Sequence, residues 1–395
     1  MALNSDGGAS WRRLAVVIYL PTAVSFIGFG AIAPLVPLTA RALGASVAEA
    51  ALVVALMGIG TLIGALPAGV IADRFGEKKS LVGAMVVDIG CLLVCAFAPN
   101  TWVLAGAVFV TGLSGAMLSL ARQSYLTVAV GLEYRARALS TLGGVFRIGS
   151  LLGPLMGAAV VTVWGLQAAY LVAAGTSLLA ATVTMALPEL PTPEHPPDEP
   201  VRLAQVLRRH AHTYATAGVG AAALMLVRTS RDALLPLWCE QVGLDAAATS
   251  LIFALSSGID MTLFYLGGSV MDRFGRRWVS VPSMVIMSLC FALLPLAHSV
   301  VAVALFAAAL GLGNGISAGV VMTIGSDASP AVGRPQFLAG WRLTTGIGQA
   351  AGPLLITAIA ALAPLGAAAL AIGAIGLTGA GWLWLWVREP SIQGR

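Results

Sequence analysis

Inside the long apolar runs of this sequence stand a few ionisable side chains: Asp88, Arg122 and Arg147 in the first half, and Arg228, Arg231, Asp232 and Asp260 in the second. A charge in such a place is costly, and it marks an ion pair, a proton carrier or a contact with a charged solute. Asp260 lies twelve residues before the loop acid Asp272. At ~1.5 Å per residue that is about 18 Å deeper, near the middle of a ~30 Å hydrocarbon core. With Ser256, Ser257 and Gly258 beside it and no cation within a helical turn in sequence, Asp260 is the proton-carrying candidate of the second half, and Asp88 that of the first. A permanent pair between Asp260 and Arg228 or Arg231 is the competing reading. Arg228 and Asp232 stand four apart and are expected to pair on one helix face.

Asp88, Arg122 and Arg147 fall roughly nine to thirteen residues from the cations Lys79 and Arg135, hence at one depth, and are expected to form one network. If Asp88 and Arg122 neutralise each other, Arg147 is left to meet an anionic or carbonyl-bearing solute. Phe26 and Tyr125 are the aromatic candidates for a cavity wall. Covalent chemistry finds no foothold. The sequence has no metal-spaced His and Glu pair, no nucleophile elbow, and no phosphate loop with the lysine and hydroxyl residue of a nucleotide-hydrolysing pump. No catalytic residue, metal or cofactor is therefore expected, and the driving force for any work must be a gradient.

The elements that position these charges follow from composition. Hydrophobic residues make up 58% of the chain and charged residues 10%, too little polar surface to cover a soluble globule of 395 residues. Segments long and apolar enough to cross a bilayer recur near 14 to 39, 47 to 71, 80 to 98, 102 to 130, 139 to 163 and 166 to 187, then near 213 to 239, 247 to 271, 279 to 297, 299 to 325, 337 to 362 and 365 to 387. We number these spans 1 to 12. The cations Arg12, Arg13, Arg74, Lys78, Lys79, Arg135, Arg137, Arg202, Arg208, Arg209, Arg273, Arg276, Arg277, Arg334, Arg388 and Arg395 fall in the tails or in alternate loops, against Arg41 alone in the opposite set. By the positive-inside rule both termini are expected in the cytoplasm and the protein in the cell membrane, its partners being lipid, protons and a small-molecule substrate. The net charge of +5 is then a consequence of topology and not of nucleic-acid binding. Cys91, Cys95, Cys239 and Cys290 lie mostly within spans, where free cysteine behaves as a small hydrophobe, and a monomer is expected.

One offset, 199 residues, maps the first half onto the second. It carries Pro37 to Pro236, Gly44 to Gly243, Asp73-Arg74-Phe75-Gly76 to Asp272-Arg273-Phe274-Gly275, Lys78 to Arg277, Gly149 to Gly348, and Gly153-Pro154-Leu155 to Gly352-Pro353-Leu354. An unbroken tetrapeptide at the offset of a Gly-Pro pair reads as duplication. The Pro- and acid-rich stretch after residue 187 reads as a linker. The expected organisation is a six-helix bundle over 1–187, a cytoplasmic linker over 188–212 and a second six-helix bundle over 213–395.

Gly69-Val70-Ile71-Ala72-Asp73-Arg74-Phe75-Gly76-Glu77-Lys78-Lys79 joins spans 2 and 3, and its copy Gly268 to Arg277 joins spans 8 and 9. These loops resemble the signature loop of the major facilitator superfamily. The resemblance implies an all-α membrane fold of twelve transmembrane helices in two pseudo-symmetric six-helix bundles around a central cavity. It also implies a conformational latch formed by Gly69, Asp73, Arg74, Gly76 and Lys78, and by Gly268, Asp272, Arg273, Gly275 and Arg277. In these loops the glycine opening the motif is expected to let helices approach closely. Glu77 departs from the pattern, which has a cation there. Span 5 carries Gly149-Ser150-Leu151-Leu152-Gly153-Pro154-Leu155-Met156-Gly157, similar to the motif of the exporting, antiporter branch; its glycines present a flat face and Pro154 is expected to bend the helix. An arginine typical of that branch is missing before the glycines of span 4, where Val108 and Thr111 stand. The function implied is secondary active transport, with proton-coupled efflux of a small amphipathic or anionic organic molecule by alternating access in first place, and a uniporter or proton symporter for uptake as the alternative.

Overall fold

The structure, a computed structural model, describes residues 18–130, 134–185, 203–330 and 333–387. Among these the chain is helical, with no strand. Span 1 is Leu20–Ile32 followed by Leu35–Ala42, bent by 42° at the intervening Pro34, because proline removes a backbone donor and its ring crowds the preceding turn. Val47–Phe75, Glu77–Ala96 and Thr101–Ala129 form spans 2, 3 and 4. Spans 5 and 6 are one continuous stretch, Arg135–Met185, whose only helix-breaking residue is Gly165 at φ 81°, ψ 179°. Pro154 lies within that stretch, so the conformational break sits at Gly165 between the two spans and not at the proline.

The second half begins with the short helix Leu203–Arg209, within the described part of the expected linker, residues 203–212; the rest of that linker lies outside the described residues. Span 7 is Val219–Gln241, followed by Ala246–Phe274, Arg277–Leu293, the broken pair Val300–Ile316 and Val320–Asp327, Arg334–Ala360 and Leu365–Trp386 as spans 8 to 12. Nine described helices are long and apolar enough to cross a membrane, or ten with the bent span 1. Division of Arg135–Met185 at Gly165, and addition of span 7, whose Arg228, Arg231, Asp232 and Glu240 lower its apolarity, account for the twelve.

The chain divides into two compact units, one comprising Met1–Ala45, Leu56–Glu194 and Asp245–Ala254, the other Ser46–Ala55, His195–Leu244 and Leu255–Arg395. Features 199 residues apart do the same physical work. Ala45 N–H donates to Ala40 O and Leu244 N–H to Cys239 O, closing the ends of spans 1 and 7 around Gly44 and Gly243 at φ 89° and 86°, a helix stop in which glycine takes the left-handed conformation. Asn100 caps span 4 through Trp102 N–H and Val103 N–H, and Ser299 caps span 10 through Ala302 N–H. Ser46 and Glu49 form a reciprocal capping box at span 2, while Asp245 accepts from Ala248 N–H at span 8. At the capping positions the residue type has changed while the hydrogen bond has not.

Packing shows the same register. In lipid, helices associate through close approach and not through water expulsion, so small residues mark the seams. A Cβ at Gly153 would stand 2.6 Å from Ile27 O, and one at Gly352 would stand 2.5 Å from Leu226 O, which fixes span 5 on span 1 and span 11 on span 7. Gly112 meets Met57 O as Gly311 meets Ser256 O, joining spans 4 and 2 and spans 10 and 8.

Candidate functional site

In the second unit charged side chains of spans 7 and 8 are joined through span 10. Arg228 Nε donates to Asn314 Oδ1 at 2.6 Å, and Asn314 Nδ2 donates to Asp260 Oδ2 at 2.9 Å. Asp260 is 9% exposed. Span 10 can bring its amide this close because Gly315, next in sequence, lies against the Asp260 backbone, where a Cβ would meet Asp260 O at 2.6 Å. The carboxamide is suited to the position: its oxygen accepts from a guanidinium and its NH2 donates to a carboxylate, so a neutral group spans two opposite charges. Asn314 was not among the sequence candidates. Its one signal was a polar side chain in the apolar, glycine-rich run Leu310 to Gly315.

Arg231 NH1 donates to Ser256 Oγ at 3.2 Å, and its Nε lies 3.7 Å from Asp232 Oδ1. Arg228, expected to pair with Asp232 one turn on, is instead turned to Asn314, and the ion pair on this face is Arg231–Asp232. A sequence spacing of four shows which side chains can meet, but the placement of an amide oxygen on a neighbouring span decided which one Arg228 does meet.

The first unit is arranged differently. Asp88 Oδ2 accepts from Ser177 Oγ at 3.3 Å, while Arg122, 3% exposed, donates from NH2 to Ser25 Oγ at 3.3 Å and lies 5.5 Å from the centre of the Phe26 ring. Asp88 and Arg122 therefore do not neutralise each other by contact: no ion pair within 4.0 Å joins them among the described residues. The cation is instead held by a hydroxyl and an aromatic face. Phe26 in turn packs on Phe146 at 4.2 Å, beside the half-buried Arg147. Tyr125 is buried and lines, with Arg122, Thr22 and Thr184, a cavity of about 10 Å³, room for one water. Phe26, Tyr125 and Arg122 thus belong together, in the interior of the bundle of spans 1, 3, 4 and 6.

The two signature loops also fold alike. Gly76 and Gly275 take φ 81° and 101°, a turn conformation that only glycine adopts without strain. Arg74 lies 5.6 Å over Phe75, and Arg273 5.3 Å over Phe274. Arg277 donates to Val387 O and lies 5.8 Å over Trp384, which ties this loop to the end of span 12. Lys78 is half-buried and Asp272 is exposed; the side chain of Asp73 lies outside the described residues. Glu77 accepts from Ser124 Oγ on span 4 at 3.1 Å, and the residue 199 further on, Arg276, pairs with Asp327 at the end of span 10 at 2.7 Å. Residues of opposite charge thus tie the same two spans in each unit.

Gly69 and Gly268 do not hold close helix contacts. A Cβ at either would meet nothing within 4 Å, whereas the close approaches of span 2 are made by Gly60 and Gly64 against Phe109 and Leu113 of span 4. Gly149, Gly153 and Gly157 of the antiporter-like motif do face a neighbour: a Cβ at each would come within 2.6 Å of Phe26, Gly30 or Ala31 on span 1.

Helices long and apolar enough to cross a membrane, with charged side chains joined between them, define a polytopic membrane protein. The family profile described as Major Facilitator Superfamily matches residues 18–264 and 217–395, and the chain belongs to that superfamily. Membership of that superfamily indicates a transporter and not an enzyme. Over 173 residues it is 30% identical to multidrug resistance protein MdtG of Salmonella arizonae and of Salmonella newport, a match covering 43% of this chain and 43% of each relative, so it spans less than half the length of these curated proteins. Among solved structures, an auto-inhibited POT family peptide transporter is similar with a TM-score of 0.77 at 14% identity, over 97% of this chain and 99% of that one. A mutant of the nucleoside transporter NupG gives 0.75 at 15%, over 95% and 100%, and a D-xylose-proton symporter 0.72 at 15%, over 95% and 98%. At such identities these likenesses show the fold alone.

Proposed function

We propose that the protein is a secondary active exporter that couples inward proton movement to the outward passage of a small amphipathic or anionic organic molecule by alternating access. The Arg228–Asn314–Asp260 chain carries the reading. It places a nearly buried carboxylate on span 8 in contact with a neutral amide from span 10, which in turn contacts a cation on span 7. Proton uptake at Asp260 turns an acceptor into a donor-bearing acid, weakens its hold on the Asn314 NH2 group, and loosens Arg228. Three spans thereby feel one protonation event, the kind of two-state element that a coupled transporter needs. The Arg122–Phe26–Tyr125 cluster of the first unit closes around room for one water, so contact with an anionic solute falls to Arg147, half-buried beside it. The outward direction is supported by the likeness to the MdtG proteins and by the span 5 glycine motif.

Proteoliposomes test this. Asp260→Asn is expected to abolish pH-gradient-driven substrate flux while substrate counterflow without a gradient persists. Full gradient-driven flux in a well-folded Asp260→Asn protein would remove Asp260 from the coupling path. Accumulation inside inside-alkaline vesicles of known orientation, together with loss of export, would assign the protein to uptake.

A further inference from the structure

We propose that a groove on the first unit, bounded by spans 2, 3 and 4, binds one acyl chain of an anionic phospholipid whose phosphate is held by Lys79. The groove has a volume of about 540 Å³, within the range of ligand sites. Its walls are apolar, with Ile71, Phe75, Val87, Leu113 and Met117 among them, and Gly83 adds no side chain. Two hydroxyls also face it, but each already donates within the protein, Ser80 to Ile71 O and Ser114 to Thr111 O. The wall therefore has no free hydroxyl proton for a polar solute, which favours a hydrocarbon chain.

The ends of the groove differ. Gly64 and Phe75 both line it, and eleven residues of helix between them span about 16 Å, close to half of a ~30 Å hydrocarbon core. One leaflet's depth is the length that an acyl chain occupies. At the loop end stands the one charged lining residue, Lys79, exposed and without an ion-pair partner among the described residues. The acid nearest in sequence, Glu77, is turned to Ser124. A lone ammonium at the headgroup end of an apolar slot complements an anionic headgroup, and basic residues at a membrane surface attract such lipids.

The full chain, purified in detergent, can be titrated with dioleoyl phosphatidylglycerol and with dioleoyl phosphatidylcholine and read by native mass spectrometry. The wild type should retain the anionic lipid more strongly. Lys79→Gln is expected to weaken the first phosphatidylglycerol adduct about fivefold, from roughly 1 kcal/mol per basic residue near the surface, and to weaken phosphatidylcholine, whose phosphate charge is offset by its own choline, less. Gly83→Leu, which has space for its side chain because a Cβ there meets nothing within 4 Å, should weaken both lipids; Val87→Phe is the second variant if that protein does not fold. Arg209→Gln, on the other unit, should leave the first adduct intact. Unchanged lipid retention in both groove-filling variants would overturn the site. Equal losses in Lys79→Gln and Arg209→Gln would overturn it too, by showing diffuse surface attraction. Displacement of the lipid by a second copy of the chain, seen as a dimer that disappears in Gly83→Leu, would replace the lipid with a protein occupant.

Discussion

Replacement of Asn314 by leucine removes the bridge and keeps the branched outline of the side chain. Two hydrogen bonds are lost, to Arg228 at 2.6 Å and to Asp260 at 2.9 Å, and both partners are chargeable. In a water-soluble protein each such bond contributes about 1.5–3 kcal/mol, which would make the substitution nearly lethal to folding. Between membrane helices the measured average is ~0.6 kcal/mol and the maximum ~1.7, because groups separated in the bilayer find other partners. The membrane figures govern here, since spans 7, 8 and 10 remain inserted when their mutual contacts are lost. The expected destabilisation is thus about 1–3 kcal/mol, enough to lower the thermal unfolding midpoint in detergent without preventing purification. Transport should suffer more than stability. With the bridge gone, the path from Asp260 through the Asn314 amide to Arg228 is cut, so gradient-driven flux should fall at least tenfold while counterflow is largely kept. Asn314→Gln, with the same groups on a longer arm, should recover part of the coupling. If Asn314→Leu transports with wild-type dependence on the pH gradient, the relay argument is wrong even if the hydrogen bonds exist.

The remaining expectations concern packing and the loops. Gly153→Ala places a Cβ 2.6 Å from the Gly30 backbone and should destabilise by about 1–3 kcal/mol, whereas Gly69→Ala, with open space and a helical conformation, should be neutral or stabilising by up to ~1 kcal/mol; thermal unfolding of the two proteins side by side checks both. Asp272→Asn removes an exposed loop charge and no core packing, so it should leave the unfolding midpoint unchanged and shift the labelling of engineered cysteines on the two sides of the membrane; identical labelling would dismiss the latch role.

The spans were legible because twenty apolar residues have few alternatives to crossing a bilayer, and the duplication because Asp-Arg-Phe-Gly recurs intact. The repeat-equivalent caps Ser46 and Asp245, or Asn100 and Ser299, show why residue identity understates the symmetry: several side chains can offer an oxygen to a helix N-terminus. The site was harder. Asp260, Arg228 and Arg122 stood out because charge is rare at that depth, but Asn314 is neutral and its importance comes from two partners on other spans. Whether Asp88 and Arg122 neutralise each other by contact was open in the sequence for a related reason. Equal depth does not fix azimuth, and Ser177, Ser25 and the Phe26 ring were placed to take the two charges separately. Gly69 was misread because a glycine within a helix marks close approach only where another backbone lies opposite, and that is a fact of three dimensions.

The join between spans 5 and 6 has a practical consequence. Trp164 is 70% exposed and Gly165 alone carries the reversal, at a positive φ that any L side chain would strain. With no loop there, the turn offers a protease no extended substrate and gives an inserted epitope no slack, so a tag placed at 165 should unfold the helical hairpin before it reports on sidedness. The turn between spans 3 and 4, at Phe97 to Asn100, has several non-helical residues and an exposed cap. It is the better site for a topology reporter on that face, and a glycosylation or protease tag there would show on which side of the membrane the shorter turns of this transporter lie.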